Sequence, residues 1–151
     1  MPHPTIRYDK DRATRLMHLC RELWLDKNST AKLLGIKNAS NVNAQWRGLD
    51  PIRAGVIGRL EEIRQDLCNQ AEWTALALRD ENKASGLPAV QVLRYDTQVD
   101  YERLAPPAMV EQWPVVALHH LFTHLIKRNL NVLGVLAVFS IELGDSNNDN
   151  D

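Results

Sequence analysis

Between residues 41 and 47 the sequence reads NVNAQWR, which sets the amides Asn41, Asn43 and Gln45 and the guanidinium Arg47 around two apolar residues, Val42 and Trp46. Val42 and Trp46 are four apart, one helical turn, so both face inward and the polar side chains spread over the remaining faces. In the major groove of duplex DNA an amide pairs in bidentate fashion with adenine and a guanidinium with guanine. Asn41, Asn43, Gln45 and Arg47 are therefore candidate base readers. Lys27, Lys32, Lys37, Ser40 and Arg53 suit contacts to phosphate, which position a protein on DNA without reading its sequence. Ser40 is also a candidate cap for the helix that carries the readers.

Other chemistries fit less well. His119, His120 and His124 form a second cluster, with His120 and His124 one helical turn apart. A zinc hydrolase needs a glutamate beside the first histidine, where Leu121 stands, and zinc needs third and fourth ligands. Histidines on the polar side of an amphipathic helix are expected instead, with no metal and no cofactor. The sequence holds no glycine-rich phosphate loop, no Gly-x-Ser-x-Gly elbow and no Cys-His pairing of known spacing, so no enzyme is expected. Trp24 and Trp46 are in phase with apolar neighbours and are expected in the core rather than as stacking platforms for single-stranded nucleic acid.

The elements that must position the readers are helices. Asp9 or Asp11 caps a first helix running to about residue 24, its apolar positions at helical spacing. Ser29 is expected to cap a brief second helix over residues 30–34, stopped at Gly35, where a left-handed backbone is cheap. A third helix covers about 39–47 and ends at Gly48. A helix-turn-helix needs a small residue at the helix crossing, a turn residue free of the right-handed region, and buried apolar side chains that fix the crossing angle. Ala31 and Gly35 fill the first two roles, and Leu34, Ile36, Val42 and Trp46 the third. Asp50 followed by Pro51 predicts the start of a long fourth helix reaching about residue 82.

Composition changes after Lys83. Gly86 and Pro88 introduce a predicted strand over 89–95, Asp96 and Thr97 turn the chain, and Pro106 and Pro107 mark another break. A helix over about 108–127 then carries an apolar face with Leu118, Leu121, Phe122 and Leu125, which together with Trp113 is the expected dimer interface. Asn129 to Asn131 interrupt that pattern. Residues 132–143 read as a second strand, with a buried helix as the alternative. The fold expected is α+β, mostly α: an N-terminal helix-turn-helix bundle over 1–83, a small strand-helix-strand dimerisation domain over 84–144, and a disordered acidic tail at 145–151.

Charge is polarised along the chain. Residues 1–53 hold ten Lys/Arg and five Asp/Glu, a balance of +5, and the remainder holds eight and fourteen, a balance of −6. A basic module suits phosphate, and an acidic remainder suits a solvated dimerisation or regulatory domain. Cys20 and Cys68 form no Cys-x-x-Cys pair and both sit in apolar helical patterns, which predicts buried thiols in a reducing cytoplasm. The apolar run near the C-terminus is too short to span a bilayer and no export signal is visible, so a cytoplasmic location away from membranes is expected.

The lengthened turn, the Val42-x-x-x-Trp46-x-Gly48 ending, the Pro51 helix start and the region around Trp113 resemble the anti-CRISPR-associated repressors and their YdiL-like relatives in the lambda-repressor-like superfamily. The resemblance extends over nearly the whole chain. It implies a homodimer that binds an inverted repeat in its own promoter and represses it, with residues 41–47 as reader and the C-terminal domain as dimer interface. From the residues alone, two further readings stay open: an antitoxin-type regulator whose acidic half grips a toxin, and a protein-interaction module with no role in nucleic acid. RNA also stays open as a partner.

Overall fold

The computed structural model describes residues 10–142 and divides into two compact units, residues 1–64 and 65–151. Asp9 and the expected acidic tail lie outside the described residues. The fold is mostly helical with one small sheet. Its elements are α1 (Lys10–Glu22), α2 (Lys27–Leu34), α3 (Ala39–Trp46), α4 (Val56–Ser85), β1 (Val90–Tyr95), α5 (Gln98–Leu104), α6 (Pro107–Gln112), α7 (Val116–Val132) and β2 (Ala137–Glu142).

In the N-terminal unit, α1 buries Ala13, Leu16, Leu19 and Cys20, spaced three and four apart as one helical face requires. The helix stops earlier than periodicity suggests. Trp24 adopts a left-handed backbone, φ 62°, and the Leu25 N–H reaches back to the Cys20 carbonyl. Trp24 is consequently exposed (44%) rather than part of the core. Asp26, not Ser29, caps α2: its carboxylate accepts the Ser29 N–H at 2.7 Å, and the helix starts at Lys27. Ion pairs from Arg15 to Glu61 and from Glu22 to Arg64 join α1 to the start of α4. Exposed pairs of this kind contribute about 0–1 kcal/mol each.

The Asp50-Pro51 signal misplaces α4. The helix starts at Val56, after a turn through Gly55, because the chain leaving α3 first folds back on itself. The boundary between the units falls inside α4, well before Lys83. Leu60 and Ile63 are buried in the first unit and Leu67, Ala71 and Ala75 in the second, on one continuous stripe. Cys68 lies off that stripe and is exposed, so only Cys20 is a buried thiol.

In the C-terminal unit, β1 and β2 pair in parallel, Val90 opposite Ala137 through Tyr95 opposite Glu142. Parallel strands cannot be joined by a tight turn, and α5, α6 and α7 form the crossover. The sequence predicts one helix there and the structure has three. Thr97 caps α5 by accepting the Asp100 N–H, and Pro114 separates α6 from α7. Gln98 fastens that break, donating to the Pro114 carbonyl at 2.8 Å and accepting the Val116 N–H at 2.7 Å. The helix α7 continues through Asn129 and Asn131 to Val132, and the strand occupies only the last part of the predicted 132–143 segment.

The side chains expected at a dimer interface form the interior of this unit. Trp113, Leu118, Leu121 and Phe122 are buried, with the Trp113 and Phe122 rings 4.7 Å apart, and Leu125 is half-buried. Their apolar face packs within the chain, because the crossover brings α7 against β1. His119 likewise belongs to the core rather than to a polar helix face.

Candidate nucleic-acid interface

The helices α2 and α3 are joined by four residues, Gly35 to Asn38. Gly35 has φ 69°, and the Ile36 N–H bonds the Ala31 carbonyl at 2.8 Å, closing α2 with a left-handed residue that favours glycine. Asn38 then caps α3, its side-chain oxygen accepting the Ser40 N–H at 3.2 Å. Ser40 is thus not the cap, and its side chain is exposed. Gly48, φ 73°, ends α3 in the same manner: its N–H bonds the Gln45 carbonyl and the Leu49 N–H the Ala44 carbonyl.

Four side chains set how α3 is seated. Val42 is fully buried, Ala31 and Leu33 of α2 are buried, and Trp46 is half-buried. The Thr30 hydroxyl and the Trp46 indole N–H are buried with no oxygen or nitrogen acceptor, and the thiol of Cys20 is the neighbour both reach. One residue each from α1, α2 and α3 meets there. Burial raises the Cys20 pKa, and the Thr30 and Trp46 contacts oppose that rise without cancelling it. The thiol is therefore neutral. Nothing in the sequence flags Thr30, because its burial depends on where α1 and α3 come to rest.

At about 100° per residue, Ser40, Ala44 and Arg47 fall on the side away from Val42, with Asn41 and Asn43 at either flank. Gln45 falls nearer the Val42 side. Exposure follows this phase: Ser40, Asn41 and Arg47 are exposed, whereas Asn43 and Gln45 are half-buried. Of the four expected readers, Gln45 is the least outward. Lys27, Lys32, Lys37 and Arg53 are all exposed. Residues 27–49 contain Lys27, Lys32, Lys37 and Arg47 and no acidic side chain, since Asp26 and Asp50 lie just outside.

The histidines take different places. The Nε2 of His119 accepts the Tyr95 N–H at 3.1 Å, and the ring stacks on Tyr101 at 4.9 Å. Burial, then the neighbouring His120 and Arg94, lowers its pKa to about 4. His120 meets the Tyr95 carbonyl through Nε2, and His124 is exposed. Among the described residues no group of three or more His, Cys, Asp or Glu is placed to hold a metal ion. Among them, too, no helix is long and apolar enough to cross a membrane.

Compared with known proteins, the chain matches no family model and no curated protein sequence.

Proposed function

We propose that this chain is a sequence-specific duplex-DNA-binding protein in which α2 and α3 act as a helix-turn-helix and α3 is the reading helix. The observation that carries the reading is the outward side of α3. It presents Ser40, Asn41 and Arg47 to solvent within a stretch, residues 27–49, that has four cations and no carboxylate. In the major groove, Asn41 and Asn43 pair with adenine and Arg47 with guanine, each good bidentate pair contributing about 1–3 kcal/mol of discrimination. Lys27, Lys32, Lys37 and Arg53 hold the backbone on either side. The resemblance to the lambda-repressor-like superfamily supports the same assignment and extends it to a homodimer on an inverted repeat, repressing the promoter that contains it.

Selection of bound duplexes from a random pool, followed by the Asn43→Ala/Arg47→Ala double variant, tests this reading. The expected outcome is an enriched palindromic site and a variant that loses preference for it with unchanged thermal stability. Absence of any enriched duplex, or a variant that unfolds, removes the reader role.

A further inference from the structure

The C-terminal unit is acidic, with nine Asp/Glu and six Lys/Arg over residues 65–142. Half of those cations gather at one place. A cleft of about 480 Å³ is lined by His124, Lys127, Arg128, Asn131, Val132 and Phe139, from the C-terminal half of α7 and from β2. The Lys127 ammonium sits 4.9 Å from the centre of the Phe139 ring and the Arg94 guanidinium 5.2 Å. Arg79 and Arg103 of the same unit are paired with Asp80 and Asp100. Arg94, Lys127 and Arg128 form no ion pair with any described carboxylate.

Three features of this arrangement point to an anion. Cations brought together without a counter-charge repel one another, the more so at a partly buried site. Arg94 does not line the cleft, but its guanidinium lies over the Phe139 ring that does and its buried Nε has no hydrogen-bond partner, so its charge beside the cleft is uncompensated. The Phe139 ring attracts both cations through its face but offers no oxygen acceptor. A phosphate group supplies several charged acceptors at once, more than a carboxylate does. Val132 and Phe139 form an apolar wall for the organic part of a ligand, and the volume is within the range of small-molecule sites.

We propose that this cleft binds a small phosphorylated ligand of nucleotide size. Lys127 and Arg128 contact the phosphate from α7, Asn131 adds an amide donor, and Arg94, over the same Phe139 ring, adds positive charge beside the cleft. The site is built from residues of the C-terminal unit alone and does not depend on the DNA reading.

Calorimetric titration of the full chain with pyrophosphate and with ADP, at fixed ionic strength, tests it. Saturable binding of both probes is expected, weakened roughly tenfold or more in the Lys127→Gln/Arg128→Gln variant and in the exposed Arg128→Gln single variant. A Lys83→Gln variant, which removes an equal charge from the end of α4, is expected to bind as the parent does. Equal weakening in Lys83→Gln reduces the effect to diffuse charge and overturns the site, as does absence of saturation. Duplex DNA forms the second arm. A double variant that keeps its duplex affinity while losing ADP supports a small ligand. Loss of duplex affinity with no saturation by either probe assigns these cations to a nucleic-acid backbone instead.

Discussion

His119 illustrates how one buried side chain links packing to pH. Its Nε2 accepts the Tyr95 N–H and so must be unprotonated, and burial lowers the folded-state pKa from 6.5 to about 4. Between those values the unfolded chain binds the extra proton, so stability is present in full above pH 6.5 and drains as pH falls toward 4. The expected loss is about 3 kcal/mol, read from urea denaturation across that window. A His119→Gln variant, which keeps an acceptor and cannot titrate, is expected to lack this part of the slope; an unchanged slope sinks the assignment. The two thiols give a second residue-scale test. Cys68 is exposed, and Cys20 is buried with a raised pKa, so a thiol reagent should label Cys68 in the native protein and reach Cys20 only on unfolding. Both cysteines sit in apolar helical patterns, and the sequence does not distinguish them. A shift of one position around α4 decides which thiol meets solvent.

Helices are where periodicity is most informative and element ends are where it is least so. The inward positions Val42, Leu60, Ile63 and Leu67 follow from spacing alone, because neighbours three and four apart share a face. The ends depend on caps that compete. Asp26 outcompetes Ser29, Asn38 outcompetes Ser40, and the proline start at Pro51 gives way to a chain that turns back through Gly48 and Leu49. At this scale Val42 and Asn43 separate structure from recognition. Val42→Ala removes two fully buried methyl groups and is expected to destabilise the protein by about 2 kcal/mol in chemical denaturation. Asn43→Ala is expected to leave stability nearly unchanged and to weaken preference for the selected DNA site. A reversal of the two effects would place Asn43 in the packing of the bundle and remove it from the reading face.

The polarised charge belongs to the whole molecule. Phosphate neutralisation releases counterions, so log affinity for duplex falls with log salt by about 0.9 for each phosphate held. A homodimer carries every contact twice, and Lys37→Ala is therefore expected to reduce that slope by about 2 while leaving the preferred sequence unaltered. Sedimentation of the free protein should give twice the chain mass, since two reading helices about 34 Å apart are needed for a palindromic site. A monomer at all concentrations removes the palindrome from the proposal. Trp113, Leu118, Leu121 and Phe122, which the sequence marks as a free apolar face, are used internally by the fold, so a dimer would have to form through other residues. By itself the sequence determined the helical character of the chain, many of the inward residues of α1, α3 and α4, the strand propensity near both sheet positions and the basic start followed by an acidic remainder. These properties are local or additive, set by side-chain spacing along one segment or by a count of charges. Only the tertiary structure decided that β1 and β2 run parallel, that three helices bridge them, that His119 is buried, and that Arg94 and Lys127 meet over Phe139. Each of those joins segments remote in sequence, and the free energy that selects such a pairing comes from apolar surface withdrawn from water between them, which no single segment records.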